Sequence, residues 1–416
     1  MTALTLLMYI CTALLFQLVA GVGVIVWRKR ALDIEPPELD RADARAPSAG
    51  AWSGWRDFRV TRRNFEDDAR NQCSFYLQPV DGAPLAAFRP GQYLTFSLQV
   101  NGAGSGIAAA ARSITRCYSL SDRPDPGIYR ITVKRMPSPP DQPNLPPGES
   151  SNHFHDRVQV GDVLKVKAPS GHFFIDSDAT VPAVFIAGGI GITPMLSMLR
   201  WCVGEQPERA VHLFYGVHSS ADQAFKQVLS ELAASHPVFK LHVVYSCPGP
   251  LDVQGRDYQH VGHIDLNLLR SCLPHGRHQF YVCGPPPMMQ SLVPALRDWG
   301  VKGDDIHFEA FGPASVQPAT PATNEALATR STSYEVRLNR SGRTLVWDGQ
   351  DANLLDFAER HGVAVDSGCR SGSCGTCETK LVSGTVHYVD RPDYDIAIGH
   401  CLLCVGQPRS ALVLEA

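Results

Sequence analysis

The stretch Cys369-Arg-Ser-Gly-Ser-Cys374-Gly-Thr-Cys377 carries three cysteines in a C-x4-C-x2-C pattern. With a distant fourth cysteine, this is the spacing that holds a 2Fe–2S cluster. Small residues fill the gaps, as a loop needs when it must curl tightly and aim amide N–H groups at sulfur atoms. Glycine permits the positive φ angles of such a curl. The stretch therefore predicts a cluster-binding loop with Cys369, Cys374 and Cys377 as ligands.

Two later cysteines, Cys401 and Cys404, are the candidates for the fourth ligand. Cys404 is favoured, because Leu402, Leu403 and Val405 surround it with apolar side chains that would shield the edge of a cluster. A zinc site is the alternative, since zinc sites commonly pair two C-x2-C knuckles and Cys401 and Cys404 have that spacing. The glycine- and serine-rich C-x4-C loop favours the iron–sulfur cluster.

Length and composition indicate a globular protein of several domains. The chain has 416 residues, too many for one ordinary core, and its apolar content is 44%. The net charge of −3 gives no reason to expect nucleic-acid binding. Five of the 12 cysteines lie in the last fifty residues at cluster spacing, and the others are scattered singly, which favours a reducing compartment over a disulfide framework.

The amino-terminal segment from Ala3 to Trp27 is almost wholly apolar. As a helix rising about 1.5 Å per residue it would span roughly 37 Å, enough to cross a hydrocarbon core of about 30 Å. A cleaved signal peptide would carry positive charge before the apolar run, whereas here Arg28-Lys29-Arg30 follows it. The segment is therefore interpreted as a transmembrane helix. The positive-inside rule then places the remaining chain on the cytoplasmic side of the cell inner membrane.

Residues 54–177 alternate short strands with turns, a pattern typical of a small antiparallel β-barrel. Strands are predicted at Cys73–Leu77, Tyr93–Val100, Ile128–Lys134 and Val163–Lys167. The most informative motif of this region is Arg116-Cys117-Tyr118-Ser119. An arginine fork pairs two phosphate oxygens, an aromatic ring covers another ring, and a hydroxyl reaches a ring nitrogen. Alone, however, this motif on a strand is more often structural.

Residues 178–313 have the pattern of a parallel α/β domain. An apolar run from Val181 to Ala187 predicts a buried strand, which leads into the glycine turn Gly188-Gly189-Ile190-Gly191. A helix should follow, with Thr193 as its N-cap and Pro194 as its first residue. A glycine turn feeding a helix N-terminus is a ready phosphate site. The next strand lacks the acidic residue of the usual dinucleotide fingerprint, so the glycines alone are weak support.

Both regions resemble the ferredoxin–NADP reductase family, because four motifs occur in the family's order. They are Arg116–Ser121, the glycine turn, Cys283-Gly284-Pro285 and Glu309-Ala-Phe311-Gly-Pro313. In the flavin domain the resemblance implies that Arg116 binds flavin phosphate, Tyr118 packs on the isoalloxazine and Ser119 lies by its reactive nitrogen. It further implies contacts from Tyr93, and from Gly148 and Ser151 beneath the pyrophosphate.

In the nucleotide domain the resemblance implies that Cys283 lies by the nicotinamide, and that the Glu309–Pro313 segment returns to the flavin. The commoner fates of these residue types are a buried strand cysteine for Cys283 and a core position for Phe311. The implied catalytic residues are Ser119, Cys283 and Glu309. The implied nucleotide-domain contacts are Gly188, Gly189, Gly191, Thr193, Pro194, Cys283, Gly284, Pro285 and Phe311.

Residues 333–416 are expected to form an α+β domain. Tyr334–Leu338 and Arg343–Val346 predict a hairpin, and Asn353–His361 predicts a short helix that ends at Gly362. With the cysteine loop that follows, the region closely resembles a plant-type ferredoxin, which implies a β-grasp fold.

The predicted architecture is therefore a transmembrane helix, a β-barrel flavin domain, an α/β nucleotide-binding domain and a β-grasp ferredoxin domain. The expected boundaries are 1–30 for the anchor, 31–53 for a linker, 54–177 for the flavin domain, 178–313 for the nucleotide domain, 314–332 for a second linker and 333–416 for the ferredoxin domain.

The resemblance implies an NAD(P)H-dependent reductase, similar to reductase components of oxygenase systems and to flavohaemoglobin reductase halves. FAD is preferred to FMN, and NADH mildly to NADPH, because Gly216–Asp222 offers no arginine for a 2′-phosphate. Arg256 and Tyr258, with Ser219, are the residues that would build a 2′-phosphate site. The expected partner is an electron-accepting protein such as an oxygenase. A quinone or metal-ion reductase and a 2Fe–2S redox sensor are the alternatives.

Overall fold

The computed structural model describes residues 51–100, 112–138, 146–311, 333–370, 372, 374–388, 392, 394 and 396–416. From Ser48 to Ala416 the chain forms one unit, in which three domains are distinguished by their sheets.

The first domain is a six-stranded antiparallel barrel in the order β4-β3-β6-β1-β2-β5. An isolated bridge between Leu120 and Ile131 joins its two edge strands, with the amide of Ser121 donating to the carbonyl of Arg130 over 2.8 Å. The elements are β1 Arg56–Phe65, β2 Gln72–Pro79, β3 Tyr93–Val100, β4 Arg112–Ser119, β5 Tyr129–Lys134, α1 Glu149–Asp156 and β6 Val163–Ser170.

The four predicted strands of the barrel are confirmed as β2, β3, β5 and β6. Strand β1 was not predicted, and its sequence RDFRVTRRNF explains why. Only Phe58 and Val60 of this strand are fully buried, so charged residues hide the alternation on which a strand prediction depends. Helix α1 covers the barrel with Phe154, which is fully buried and packs edge-on against Phe75 and Phe96.

The second domain is a six-stranded parallel sheet in the order β10-β9-β8-β7-β11-β12. The chain runs outward from β7 to β10 on one side and returns to β11 and β12 on the other. Strands β7 and β11 are therefore neighbours at the topological switch point, where ligands bind at the carboxyl ends of such sheets. The elements are β7 Ala183–Gly188, α2 Ile192–Glu205, β8 Val211–Val217, α3 Lys226–Ser235, β9 Phe239–Tyr245, β10 His260–Val261, α4 Leu266–Cys272, β11 Gln279–Gly284, α5 Pro286–Asp298 and β12 Ile306–Ala310.

The third domain has a five-stranded mixed sheet in the order β14-β13-β19-β15-β17 and a two-stranded sheet of β16 and β18. The predicted hairpin is confirmed as β13 and β14, and the predicted helix as α6, with Asn353 as its N-cap and Gly362 at a φ of +70° beyond its end. The elements are β13 Tyr334–Leu338, β14 Arg343–Trp347, α6 Leu354–Arg360, β15 Glu378–Ser383, β16 Val386–Tyr388, β17 His400–Leu402, β18 Gly406–Pro408 and β19 Leu412–Leu414.

The transmembrane helix of the predicted architecture needs correction. Within the ranges that the structure describes, no helix is long and apolar enough to cross a membrane. The segment Ala3–Trp27, on which that prediction rested, lies outside those ranges, as do residues 314–332 of the second linker and most of the first. An apolar run of this length satisfies the hydropathy criterion for a span, but hydropathy alone does not establish a helix. The architecture that stands is the three folded domains.

Candidate functional site

The cysteine loop has backbone amides directed at its own sulfur atoms. The amide of Cys369 donates to Cys374 Sγ over 3.2 Å, and the amide of Cys374 donates to Cys369 Sγ over 3.3 Å. The amide of Cys404 lies 3.5 Å from Cys377 Sγ. Sulfur atoms that carry negative charge are stabilised by such N–H groups, so the loop is arranged for metal-bound thiolates.

The structure brings Cys404, and not Cys401, into the group of Cys369, Cys374 and Cys377. Contacts with Cys369 and Cys377 raise the pKa of the Cys404 thiol, and the contact with Cys404 lowers the pKa of Cys377. Cys401 lies on β17 opposite Thr379, where burial raises its pKa to about 12. Four converging sulfur atoms with amide donors fit a 2Fe–2S cluster.

Two glycines of the loop are required by its geometry. Gly372 and Gly375 have φ angles of +77° and +69°, as the sequence predicted for a tight curl. A Cβ on Gly375 would lie 2.2 Å from the ring of Tyr394. Arg370, which also has a positive φ of 57°, forms ion pairs with Asp356 and Glu359 of α6. The loop is thereby fastened to the helix beside it.

The residues predicted to contact the flavin ring, Tyr93, Tyr118 and Ser119, lie where β3 begins and β4 ends. Tyr93 and Ser119 are direct partners in the β3–β4 register, and both are buried. Tyr118 packs edge-on against Phe96 and Phe154. Burial raises the pKa of Tyr118 to about 12, so its phenol stays neutral and hydrogen-bonds Ser150 Oγ at 2.7 Å. The motif is therefore rigidly held by the barrel core.

Helix α1 supplies the residues predicted beneath a pyrophosphate. Gly148 is its N-cap, and a Cβ there would lie 2.8 Å from Met136 and 2.9 Å from Ser151 Oγ. Ser151 Oγ donates to the Gly148 carbonyl over 3.0 Å and accepts from the amide of Met136 over 3.2 Å. Ser150, which was not predicted, links this helix to Tyr118. A glycine cradle joined to an aromatic shelf fits a flavin with its phosphates at a helix start.

Arg116 is exposed and lies at the boundary with the third domain. Its guanidinium donates to the carbonyl of Thr115 over 2.7 Å and to the carbonyl of Ser367 over 3.3 Å. Ser367 is only two residues before Cys369. Cys117, the next residue of β4, is within hydrogen-bonding reach of Cys374, and contacts with Cys117 and then Cys369 raise the pKa of the Cys374 thiol. The flavin strand therefore touches the cysteine loop, a contact that the sequence motifs did not indicate.

The glycine turn packs directly against the Cys283-Gly284-Pro285 turn. A Cβ on Gly191 would lie 2.1 Å from the carbonyl oxygen of Cys283, and one on Gly188 would lie 2.5 Å from Pro285. Gly189 has a φ of +53°, and the nearest atom to a Cβ there would be Lys134 Nζ at 3.8 Å. The open side of the turn therefore faces a lysine ammonium of β5, as suits a bound pyrophosphate. Lys134 was not predicted as a site residue.

The start of helix α2 corrects the predicted cap. A 3-10 turn over Gly189–Gly191 runs directly into α2, so the helix begins at Ile192 and its N-cap is Gly191. Thr193 therefore lies inside the first turn, where its hydroxyl donates to the carbonyl of Ile190 over 3.0 Å. Pro194 follows Thr193 in that turn and is likewise not the first helical residue. The extra 3-10 turn moved the boundary by two residues.

Ser119, Cys283 and Glu309 meet although they come from two domains. Cys283 and Glu309 are direct partners on β11 and β12, and Ser119 Oγ donates to Glu309 Oε2 over 3.4 Å. Cys283 is fully buried, which raises the pKa of its thiol. Removal from water raises the pKa of Glu309 from 4.5 to about 8, and Cys369 contributes to that rise. Phe311 is partly buried and packs against the core of the nucleotide domain, and its contact with a bound cofactor stays a prediction.

A barrel with a flavin shelf, a parallel sheet with a glycine turn at its switch point and a four-cysteine loop define a class of protein. It is the class of modular oxidoreductases that combine a flavin, a nicotinamide nucleotide and an iron–sulfur cluster.

Family models match all three domains of the chain. They are the oxidoreductase FAD-binding domain at residues 83–175, the oxidoreductase NAD-binding domain at 185–293 and the 2Fe-2S iron-sulfur cluster binding domain at 336–409. These matches support FAD, NAD(P)H and a 2Fe–2S cluster as the cofactors. The cysteine loop is therefore assigned to the cluster and not to zinc.

Individual proteins give the same assignment. A flavohemoprotein of Rhizobium meliloti (strain 1021) is 40% identical over 280 residues, which are 67% of this chain and 65% of that protein. The chain thus matches somewhat less than two thirds of this relative. The flavohem-like FAD/NAD binding domain of nitric oxide dioxygenase from Vibrio cholerae O1 biovar El Tor is 32% identical with a TM-score of 0.52, over 62% of this chain and 99% of that one.

A third structure includes the cluster domain. Phthalate dioxygenase reductase is described as a modular structure for electron transfer from pyridine nucleotides to [2Fe-2S]. It is 29% identical with a TM-score of 0.50, over 87% of this chain and 98% of that chain. The chain belongs to the ferredoxin–NADP reductase-like family of flavin oxidoreductases, in the form that carries a carboxyl-terminal 2Fe–2S ferredoxin domain. Its three matched domains are those of a flavin and iron–sulfur oxidoreductase that uses a nicotinamide nucleotide.

Proposed function

We propose that this oxidoreductase takes electrons from NADH and delivers them through its cluster to a protein acceptor such as an oxygenase. A nicotinamide nucleotide donates two electrons as a hydride and a 2Fe–2S cluster accepts one at a time, so FAD held at Tyr118, Ser119 and the start of α1 would supply the conversion between the two. The observation that carries the proposal is the contact of β4 with the cysteine loop, through Arg116 and Ser367 and through Cys117 and Cys374.

The residues of the chain act by positioning and by controlling charge. The Tyr118 ring is fixed by its bond to Ser150 and by Phe154, so it offers a flat shelf that does not have to reorganise. Glu309, with its raised pKa, is mostly protonated at pH 7 and adds little negative charge beside Ser119. A neutral carboxyl does not repel the electron-rich reduced site, and its proton is available at that position.

The charges near the end of β8 support NADH over NADPH. In dinucleotide folds the adenosine ribose lies beyond the second strand, which is β8 here. Ser219 Oγ donates to Asp222 over 3.2 Å, and the amide of Ser220 donates to Asp252 over 3.3 Å. Arg256 is paired with Asp257 at 2.7 Å. A 2′-phosphate would therefore meet two carboxylates and a guanidinium that is already paired, and like charges repel.

The test is anaerobic reduction of the purified protein by NADH and by NADPH, followed by extraction and identification of the flavin. We expect FAD, bleached faster by NADH than by NADPH. If neither nucleotide bleaches the flavin, the proposal fails.

A second assay compares acceptors. With cytochrome c as a one-electron protein acceptor and a soluble quinone as a small acceptor, we expect cluster-dependent reduction of cytochrome c. Turnover with the quinone alone would support the quinone reductase alternative. Slow turnover with every acceptor would support the sensor alternative.

A further inference from the structure

A cluster of imidazoles and a thiol lies in the nucleotide domain, on the face of the sheet opposite to α2. His212 is on β8, His242 on β9, His260 on β10 and Cys272 at the end of α4. His212 and His242 alternate along their strands with residues packed on the α2 side, such as Leu213. His212 and His242 therefore lie on the face of the sheet that does not pack against α2.

The atoms of this cluster are close enough to share one ion. A ring nitrogen of His242, a ring nitrogen of His260 and the sulfur of Cys272 all lie within 4.8 Å of one another. Cys272 Sγ and His260 Nε2 are 3.9 Å apart. Two ligands of a tetrahedral zinc ion lie about 3.3 to 3.7 Å apart, given bonds of about 2.0 to 2.3 Å. Side-chain movements of about 1 Å bring the three donor atoms to the separations that a zinc ion requires.

A fourth residue positions one of the rings. His212 Nδ1 lies 3.3 Å from His242 Nε2, and Phe214 stacks on His242 with ring centres 4.4 Å apart and planes within 8°. The His242 ring is thus held on two sides. Hydrogen bonds to the second nitrogen of a ligating histidine commonly fix its orientation in metal sites.

The donor atoms of this cluster are of the kind that zinc prefers. The group offers two imidazoles and one thiol, and no carboxylate belongs to it. Nitrogen and sulfur donors suit zinc, whereas magnesium and calcium take oxygen ligands.

We propose that His242, His260 and Cys272 bind one Zn²⁺ ion, with water as the fourth ligand and His212 as a positioning residue. Binding forms two Zn–N bonds and one Zn–S bond, and the Cys272 thiol releases its proton to solvent, with no change of oxidation state. The ion ties β10, which has only two residues, to β9 and to the end of α4. The site is distinct from the cysteine loop.

The test uses holoenzyme with its full iron content, so that the cysteines of the loop are occupied. After chelator treatment and dialysis, Co²⁺ and Zn²⁺ are titrated separately into wild type, Cys272→Ser and His260→Asn. We expect one equivalent in wild type, a thiolate-to-cobalt charge-transfer band, and a rise in melting temperature with Zn²⁺. Both variants should lose the band and the rise. His212→Asn should keep the band and bind about 10- to 100-fold more weakly.

Matched controls are Cys247→Ser and His275→Asn, which remove an exposed thiol and an exposed imidazole of the same domain. Both should bind as wild type does. The flavin spectrum of each variant reports that the protein is folded. A wild type that binds no more cobalt than Cys272→Ser, or that binds it without the charge-transfer band, would overturn the proposal and leave a stacked histidine cluster with a packing role.

Discussion

Cys401 and Cys404 lie three residues apart and are both buried, yet only Cys404 touches other cysteines of the loop through its sulfur. We expect Cys404→Ser to abolish the 2Fe–2S absorption and the bound iron. Cys401→Ser should keep both, because Cys401 contributes packing on β17 and no sulfur to the group. Iron analysis and visible spectra of the two purified variants measure the difference. Equal loss of iron in both variants would show that the fourth ligand is wrongly assigned.

Glu309 makes the stability of the protein depend on pH. Its folded pKa of about 8 lies above its ordinary value of 4.5, so the folded state holds the proton more tightly than the unfolded state does. The contribution of Glu309 to the free energy of unfolding is fully present below about pH 4.5 and is lost as the pH rises to about 8. The full shift would amount to about 5 kcal/mol, and because part of the residue remains exposed to water we expect about 1 to 2 kcal/mol.

Glu309→Gln removes this dependence. Thermal unfolding at pH 5 and at pH 8.5 should show a smaller loss of stability for the variant than for wild type, and the variant should be the more stable protein at pH 8.5. Glu205→Gln, a change at an exposed position at the end of α2, is the control and should follow wild type. The same pH dependence in Glu309→Gln and wild type would contradict the raised pKa.

Single residues were predicted from sequence where spacing decides their chemistry. Cys369, Cys374 and Cys377 stand in one short pattern, so their grouping needed no knowledge of the fold. Cys117 and Lys134 were not predicted, because their neighbours come from distant parts of the chain. The sequence of a strand does not indicate which other domain packs against that strand.

At the scale of elements, the glycine turn packs closely against the Cys283-Gly284-Pro285 turn, and this contact limits which substitutions are tolerated. Gly191→Ala would place a Cβ 2.1 Å from the Cys283 carbonyl oxygen, a backbone atom that cannot rotate away. The φ of Gly191 is −59°, so no backbone strain is added and the steric conflict decides. We expect a loss of about 1 to 3 kcal/mol in stability and weaker binding of NADH. Thermal unfolding and NADH titration measure these two effects.

Gly303→Ala is the matched control, since nothing lies within 4 Å of a Cβ there. It should change stability by no more than about 0.5 kcal/mol. If Gly191→Ala unfolds and binds NADH as the control does, the two turns are not in the close contact described.

The sequence predicts elements well where their burial is periodic and poorly where it is not. Strand β7 is fully buried and reads as one apolar run, so its prediction needed no context. Strand β1 carries four arginines, and helix α2 is preceded by a 3-10 turn that no propensity indicates. In both cases the tertiary contacts, and not the local residues, decide the outcome.

At the scale of the whole molecule, the order of motifs was enough to predict three domains and their cofactors, and the family models confirm those cofactors. The contact between the barrel and the ferredoxin domain was not predictable from motif order, because it depends on surfaces and not on patterns. Arg116 and Ser367 illustrate this, since they are 251 residues apart and form one hydrogen bond.

The order of electron transfer is a property of the whole molecule and has its own test. Cys374→Ser removes a cluster ligand and leaves Tyr118, Ser119 and the glycine turn unchanged. We expect reduction of the flavin by NADH to remain near the wild-type rate, and reduction of cytochrome c to fall about tenfold or more. Stopped-flow absorbance under anaerobic conditions separates the two steps. Loss of flavin reduction in a folded variant would argue against the proposed order.

The position of strand β4 affects the rate of electron transfer between the flavin site and the cysteine loop. Electron tunnelling falls off exponentially with distance, so two redox groups exchange electrons rapidly only when little matter separates them. Tyr118 faces the helix of the flavin site and Cys117 touches Cys374. These two residues are neighbours in the chain, with Cα atoms about 3.8 Å apart. In this arrangement only one strand separates the flavin site from the cysteine loop, so electron transfer between them requires no domain movement.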